Sequence, residues 1–129
     1  MKGRTINPGD AKGTAIVSKS PIGFYGGIDI ETGIVIEKNH ELEHQKITDK
    51  ILVFPYGKGS TVGSYVIYGL KKNNVAPAAI VNTETETIVA TGAILADIVC
   101  VDKVDISLFK TGSYVTIAAT EKEAEITIE

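Results

Sequence analysis

The sequence has little of three things that often reveal a function: cysteine, tryptophan and basic side chains in excess. Cys100 is the only cysteine, and there is no tryptophan among the 129 residues. The chain can therefore form no internal disulfide, and alone it cannot supply the three or four thiolates that an iron–sulfur cluster needs. Lysine and arginine number 13 against 16 acidic residues. Because nucleic-acid binding requires a basic surface, we expect no nucleic-acid partner.

Long apolar stretches are also missing. No segment reaches the roughly 18 consecutive apolar residues that cross a membrane, and residues 1–10 lack the apolar stretch of a signal peptide. We therefore expect a cytoplasmic protein with no membrane partner. Apolar residues make up 43% of the chain and aromatic residues only 6%, which predicts a globular fold with an aliphatic core. The length predicts one domain, residues 1–129.

Apolar patterning predicts strands at both ends of the chain and alternating strands and helices in its middle. Strands are expected at residues 14–18, 34–36, 51–54, 78–81, 98–101, 114–119 and 125–128, and helices at 61–72 and 85–96. Residues 7–10 are typical of a turn, and residues 19–33 indicate a long loop. Cys100 lies in an apolar run and is expected to be a small buried side chain. This order predicts an α/β fold with a mixed sheet or a small barrel.

The strongest candidate site is a glycine–serine loop, residues 57–64, between a predicted strand and a predicted helix. Its glycines let the backbone turn tightly and approach a ligand. A helix start offers free N–H groups and the positive end of the helix dipole, which attract anions. Ser60 or Thr61 is expected at the N-cap, with Lys58 as a cation beside it. A serine at a helix start is often only a cap, but a cap does not need three surrounding glycines.

Two further readings of the chain stay open. His40-Glu41-Leu42-Glu43-His44 matches the H-E-x-x-H pattern, in which two histidines on one helix face bind zinc and the glutamate activates water. The polar flanks leave little room for such a helix, so a solvated turn is the competing interpretation. A non-catalytic module that binds phosphate at residues 57–64 is the other reading.

The segment Phe24-Tyr25-Gly26-Gly27-Ile28-Asp29 is a third candidate. It is either a glycine-rich loop with an aromatic plug in the core, or a flap over a ligand with Asp29 oriented by the turn. The residues alone favour neither interpretation.

Several short motifs occur together in an order known from one family. They are Ala15-Ile16-Val17-Ser18, Phe24-x-Gly26-Gly27-Ile28-Asp29-x-x-Thr32-Gly33, His40, Gly57-Lys58-Gly59-Ser60-Thr61, Ala76-Pro77-Ala78-Ala79-Ile80 and Gly92-x-Ile94-Leu95-Ala96. In combination, and over nearly the whole chain, they resemble the small subunit of the aconitase X type dehydratases. The chain departs from the expected pattern at Gly23, Glu41 and His44, where Ser, Pro and Gly are expected.

The resemblance implies a swivelling β/β/α domain like the mobile last domain of aconitase. It implies a hydro-lyase that is inactive without a large subunit, and a 4Fe–4S cluster held by that subunit rather than by this chain. The implied reaction is the dehydration of (R)-mevalonate 5-phosphate to trans-anhydromevalonate 5-phosphate, on the archaeal route to isoprenoids. A relative acting on another hydroxy acid, such as cis-3-hydroxyproline, is the alternative.

The resemblance also implies roles for individual residues. Ser60 matches the serine that aconitases use as proton acceptor. The residues expected to hold the small anionic substrate are Gly59, Thr61, Lys58, Phe24, Gly26, Gly27 and Asp29. No residue of this chain is expected to bind a metal.

Overall fold

Seven strands close into a barrel in the computed structural model, which describes all 129 residues. The strands are β1 (Lys2–Asn7), β2 (Gly9–Val17), β3 (Ile51–Phe54), β4 (Ala79–Asn82), β5 (Val99–Asp102), β6 (Tyr114–Ala119) and β7 (Ala124–Ile128). The helices are α1 (Gly63–Lys72) and α2 (Thr87–Ala96), and a 3-10 turn covers Ile106–Leu108. Neither α-helix has the length and apolar character that crossing a membrane requires.

The barrel combines parallel and antiparallel pairing. Its strand order is β1-β5-β4-β3-β2-β6-β7, and β7 returns to β1. The pairs β2–β3, β3–β4 and β4–β5 are parallel, and the other pairs are antiparallel. Parallel neighbours need a crossover connection, and here α1 and α2 supply the crossovers between β3, β4 and β5. The expected mixed barrel is confirmed.

The parallel strands separate two apolar clusters. Along β3, Ile51 and Val53 belong to the cluster inside the barrel, whereas Leu52 and Phe54 belong to the cluster beneath the two helices. All four side chains are fully buried. Because both faces of these strands are covered, their sequences are continuous apolar runs rather than alternating ones. The central strands were correctly predicted for that reason.

The two helices pack closely against each other. Ser64 Oγ donates a hydrogen bond to the Ile88 carbonyl oxygen at 2.7 Å. A Cβ atom on Gly92 would lie 2.7 Å from Ile67 Cδ1, so a larger residue there would separate the helices. The cap of α2 is the carboxylate of Glu86, which accepts the N–H groups of the first helical turn.

The amino-terminal strands differ most from the prediction. Strand β1 was not predicted, and β2 begins at Gly9 rather than at residue 14. Residues 7–10 do not form the predicted turn: Pro8 alone separates the two strands, and β2 pairs with β3 and β6 while β1 pairs with β5 and β7. The predicted strand 34–36 forms only isolated bridges. Residues 34–36 lie in a segment of turns and form no continuous pairing with a neighbouring strand.

Candidate functional site

The glycine–serine loop follows the carboxyl end of β3 and leads into α1. Helix α1 begins at Gly63 with Val62 as its N-cap, so the prediction that Ser60 or Thr61 caps the helix is wrong. A turn intervenes, in which the Gly63 N–H donates to the Ser60 carbonyl oxygen at 2.9 Å. This turn places Ser60 two residues ahead of the capping position, at the edge of the sheet where parallel α/β folds bind ligands.

The Ser60 side chain is exposed and has one backbone donor. Its Oγ accepts a hydrogen bond from the Val62 N–H at 3.2 Å. The next N–H groups, of Ser64 and Tyr65, donate to the carbonyl oxygens of Thr61 and Val62. The first turn of α1 therefore offers no free donors, contrary to the expectation from the sequence.

Free donors lie instead within the loop, ahead of the helix. The N–H groups of Gly59, Ser60 and Thr61 donate to no acceptor in the protein, and all three residues are exposed. Gly59 has a φ of +90°, a conformation that favours glycine. Successive N–H groups in such a turn form a concavity that binds anions. The free N–H groups that the sequence predicted for the helix start thus lie at residues 59–61 instead.

Lys58 borders this concavity but is already paired. Its Nζ lies 3.0 Å from Glu37 Oε2, and both side chains are partly exposed. The cation therefore stands beside the free N–H groups with part of its charge neutralised. Glu37 was not singled out from the sequence, because its partner is distant along the chain and no local pattern connects them.

The structure brings the 20s loop, residues 19–33, against the glycine–serine loop. The Ile22 N–H donates to the Tyr56 carbonyl oxygen at 3.3 Å, and the Lys58 N–H donates to the Ile22 carbonyl oxygen at 3.0 Å. A Cβ atom on Gly59 would lie 3.9 Å from Gly23 Cα. Two segments that the sequence analysis identified separately are therefore neighbours.

Phe24 is the aromatic plug of that loop. Its side chain is 1% exposed, and its ring lies 6.0 Å from the Phe54 ring at an angle of 60°. A Cβ atom on Gly27 would lie 1.9 Å from the Gly23 carbonyl oxygen, so only glycine fits this close approach. The structure therefore supports the interpretation of Phe24 as an aromatic plug, and the Phe24 ring packs beneath the 20s loop.

Gly26 and Asp29 lie on the other side of the loop. Gly26 is exposed and has a φ of +78°, and a Cβ atom there would meet no other atom within 4 Å. Asp29 Oδ1 accepts the Glu31 N–H at 2.9 Å, and the Gly33 N–H donates to the Asp29 carbonyl oxygen at 2.8 Å. The Asp29 carboxylate therefore closes its own turn, and Gly26 is exposed at the surface of this loop.

The H-E-x-x-H segment does not form a zinc site. Residues 40–44 are a turn rather than a helix, and His44 has a φ of +72°. His40 is buried, with Nε2 lying 3.1 Å from the Pro21 carbonyl oxygen and Nδ1 accepting the Leu42 N–H at 3.0 Å. Both ring nitrogens of His40 are therefore occupied by the protein, whereas the His44 side chain is 85% exposed. No group of three or more His, Cys, Asp or Glu side chains is placed to hold a metal ion, and the zinc hydrolase alternative fails.

Glu41 has a different role from the one that the H-E-x-x-H pattern suggests. Its Oε1 lies 2.9 Å from Ser18 Oγ and also accepts the Lys19 N–H. Burial raises the pKa of the Glu41 carboxyl, but hydrogen bonds from Lys19, Ser18 and Ser20 outweigh burial and hold that pKa below its ordinary value. In the sequence, the only feature that distinguished position 41 was a glutamate where the family pattern leads one to expect proline.

The residues of this chain do not fit an iron–sulfur cluster. Such clusters are held by several cysteine thiolates, and Cys100 is the only cysteine. It is fully buried beneath the helices, which confirms the prediction of a small buried side chain. Burial raises the pKa of the Cys100 thiol to about 12, so it stays protonated.

Comparisons with known proteins show which family the chain resembles over nearly its whole length. The chain is 59% identical over 126 residues to the phosphomevalonate dehydratase small subunit of Thermococcus kodakarensis, covering 98% of this chain and 95% of that protein. The protein of the same name from Methanosarcina acetivorans is 50% identical over 129 residues, with 98% of this chain and 90% of that protein covered.

Solved structures give the same result. The crystal structure of aconitase X from Thermococcus kodakaraensis in its holo-form superposes with a TM-score of 0.93 at 57% identity, covering 98% of each chain. A second relative, solved by solution NMR, superposes with a TM-score of 0.85 at 48% identity, covering 98% of this chain and 99% of the other. A family model described as the aconitase X swivel domain matches residues 1–128. The resemblance seen in the sequence is confirmed, and the chain belongs to the aconitase X swivel domain family.

Proposed function

We propose that this chain is the small subunit of a two-subunit hydro-lyase that dehydrates (R)-mevalonate 5-phosphate to trans-anhydromevalonate 5-phosphate. The names of the relatives support this activity. The observation that carries it is the row of three free N–H groups at Gly59, Ser60 and Thr61, next to the exposed hydroxyl of Ser60. The substrate has a carboxylate and a phosphate group, and such a row is suited to one of these anions.

Ser60 is the proposed proton acceptor. Dehydration removes a proton from the carbon beside the carboxylate, and the electron pair left behind forms the double bond as hydroxide leaves the next carbon. A free serine is a weak base, so its oxygen must be stabilised as it loses its own proton. The Val62 N–H at Ser60 Oγ and the positive end of the α1 dipole supply part of that stabilisation.

The substrate contacts that we propose follow from the exposed parts of both loops. The Gly59 and Thr61 N–H groups bind an anionic oxygen, and Lys58 stands beside them. In the 20s loop, the backbone of Gly26 and Gly27 lines the site, Phe24 supports it from the core, and Asp29 fixes its turn. Lys58 binds substrate most strongly if the ligand draws it away from Glu37.

A large subunit is the proposed partner, and we place the 4Fe–4S cluster and the loss of hydroxide there. A serine base needs a site from which water is excluded, but Ser60 is exposed in this chain. Near the start of α1, one pocket is lined by Tyr25, Val62 and Tyr65, whose side chains are 61%, 44% and 68% exposed. Covering them with a partner would bury apolar surface and close the site at the same time. In this account residues 1–129 move as one swivelling domain and are inactive alone.

Reconstitution tests this function. The chain would be co-expressed without oxygen with the large subunit from the same genome, and each chain would also be purified alone. We expect dehydration of (R)-mevalonate 5-phosphate only when both chains are present. Turnover of cis-3-hydroxyproline instead would move the chain to another dehydratase of the family. Phosphate binding by the isolated chain, without activity in the mixture, would favour a non-catalytic module.

A further inference from the structure

The 40s turn, residues 37–44, reaches across to the end of β2 and the start of the 20s loop. Glu41 Oε1 lies 2.9 Å from Ser18 Oγ and accepts the Lys19 N–H. His40 Nδ1 is occupied as an acceptor, so Nε2 carries the proton and donates to the Pro21 carbonyl oxygen at 3.1 Å. One turn thus holds both ends of the short bulge formed by residues 19–21.

This bulge separates two backbone contacts with β3 and its extension. Before it, the Ser18 N–H donates to the Val53 carbonyl oxygen at 2.8 Å. After it, Ile22 accepts the Lys58 N–H at 3.0 Å. Residues 19–21 are therefore connected to the start of the glycine–serine loop through Ile22, which is buried and also donates its N–H to the Tyr56 carbonyl oxygen at 3.3 Å.

We propose that Glu41 is a positioning residue for Ser60, because its carboxylate fixes the bulge and the bulge fixes the glycine–serine loop through Ile22 and Lys58. The proposal rests on the proposed role of Ser60 as the base. It gives a function to a carboxylate at a position where the family pattern leads one to expect proline.

A second contact connects the 40s turn to the glycine–serine loop. Glu37, at the start of the 40s turn, pairs with Lys58 at 3.0 Å. The turn is therefore joined to the glycine–serine loop directly through Glu37 and indirectly through Glu41. The hydrogen bonds that lower the Glu41 pKa show that its ionised form is the one held in place. Each contact is a charge-assisted hydrogen bond, which is stronger and shorter than a neutral one.

If Glu41 only stabilised the fold, its removal would disrupt the fold itself, but the position of Glu41 predicts otherwise. Glu41 belongs to neither apolar cluster and is itself exposed. Its removal is therefore expected to leave the barrel and both helices folded while the loops shift. A displacement of about 1 Å in a catalytic group can cost up to about a hundredfold in rate, so a small movement of Ser60 is measurable.

Amide NMR spectra of the isolated chain test the mechanical connection without any activity assay, and the relative solved by solution NMR shows that such a chain is suited to the method. The variants are Glu41→Ala and Glu41→Gln. The matched control is Glu43→Ala, which removes a carboxylate of the same turn that accepts the Asn39 N–H at 3.0 Å and lies 3.6 Å from His44 Nε2. We expect Glu41→Ala to shift the amide signals of Lys19, Lys58, Gly59 and Ser60, whereas Glu43→Ala shifts only those near residue 39.

Kinetics of the reconstituted complex test the consequence. We expect Glu41→Ala to lower kcat about tenfold with little change in KM, and Glu41→Gln, which keeps an acceptor oxygen, to recover part of that loss. Unchanged Gly59 and Ser60 signals, or an equal effect of Glu43→Ala, would overturn the proposal. So would full activity of Glu41→Ala in a complex whose wild type is active. If the wild-type complex does not dehydrate the substrate, the proposed function fails, and the NMR comparison still decides whether Glu41 positions the loop.

Discussion

Gly57 and the Glu86 carboxylate touch across the boundary between the glycine–serine loop and α2. A Cβ atom on Gly57 would lie 2.4 Å from Glu86 Oε1 and 2.5 Å from Val89 Cγ2. The two oxygens of Glu86 accept the Ile88 and Val89 N–H groups at 2.7 and 2.9 Å. The first glycine of the loop is therefore required for the cap of a helix that lies elsewhere in the sequence.

Replacement of Gly57 by alanine is expected to destabilise the fold. The added methyl group must displace either the cap or Val89, and overpacking of this kind costs about 1–3 kcal/mol. Urea denaturation of the isolated chain measures the effect. Gly23→Ala is the matched control, because a Cβ atom there would lie 3.4 Å or more from its neighbours. Equal stability of the two variants would contradict the packing described for Gly57.

Tyr65 is expected to contribute to the contact with the large subunit. All five tyrosines of the chain are exposed. Tyr65, on the first turn of α1, is the most exposed of them at 68%. Exposed aromatic side chains are frequent binding hot spots. Tyr65→Asp should weaken binding of the large subunit about tenfold or more while the unfolding free energy stays near that of wild type.

The matched control for that measurement is Tyr114→Asp, which places the same change on β6, away from both loops. Its side chain is 41% exposed. Titration of the large subunit with each variant gives the affinities. Equal binding by Tyr65→Asp and Tyr114→Asp would show that Tyr65 does not take part in the interface.

Cys100 is expected to make stability depend on alkaline pH. Its folded-state pKa is about 12, above the ordinary value of 9.0, because burial disfavours the thiolate. The unfolded chain therefore releases its proton first as the pH rises. The contribution of the protonated Cys100 thiol to the free energy of unfolding is complete below pH 9 and is lost as the pH rises from 9 through 12.

The measurement is urea denaturation of wild type and of Cys100→Ala between pH 8 and pH 11. The variant loses buried volume, so its absolute stability is lower at neutral pH. The informative quantity is the difference between the two proteins, which should shrink with rising pH. A constant difference would mean that the Cys100 thiol does not titrate as described.

The parallel part of the fold could be predicted because burial on both faces leaves a strong local pattern. Strand β3 reads as Ile51-Leu52-Val53-Phe54, and all four residues are fully buried. Strand β1 carries no such pattern: Lys2, Arg4 and Asn7 give it a polar sequence, and its pairing partners are about a hundred residues away. Long-range pairing of a polar strand leaves no local trace, so barrel closure was not predictable in detail.

The sequence predicted free N–H groups at the start of α1, but the structure leaves them in the loop ahead of that helix. A serine near a helix start has the same sequence signature whether it caps the helix or closes a turn before it. Ser60 closes a turn before the helix, so the free N–H groups lie at residues 59–61 instead of in α1. The pairing of Lys58 with Glu37 and the role of Glu41 depend on contacts across more than 20 residues, which no short motif encodes.

The rate of dehydration by the Ser60→Ala complex decides whether Ser60 is the proton acceptor. The reconstituted variant and wild type would be compared on (R)-mevalonate 5-phosphate, with binding of the large subunit measured in the same samples. General base catalysis is worth about a hundredfold or more, so we predict at least that loss in kcat with binding intact. A rate within about tenfold of wild type would contradict the assignment of Ser60 as the proton acceptor.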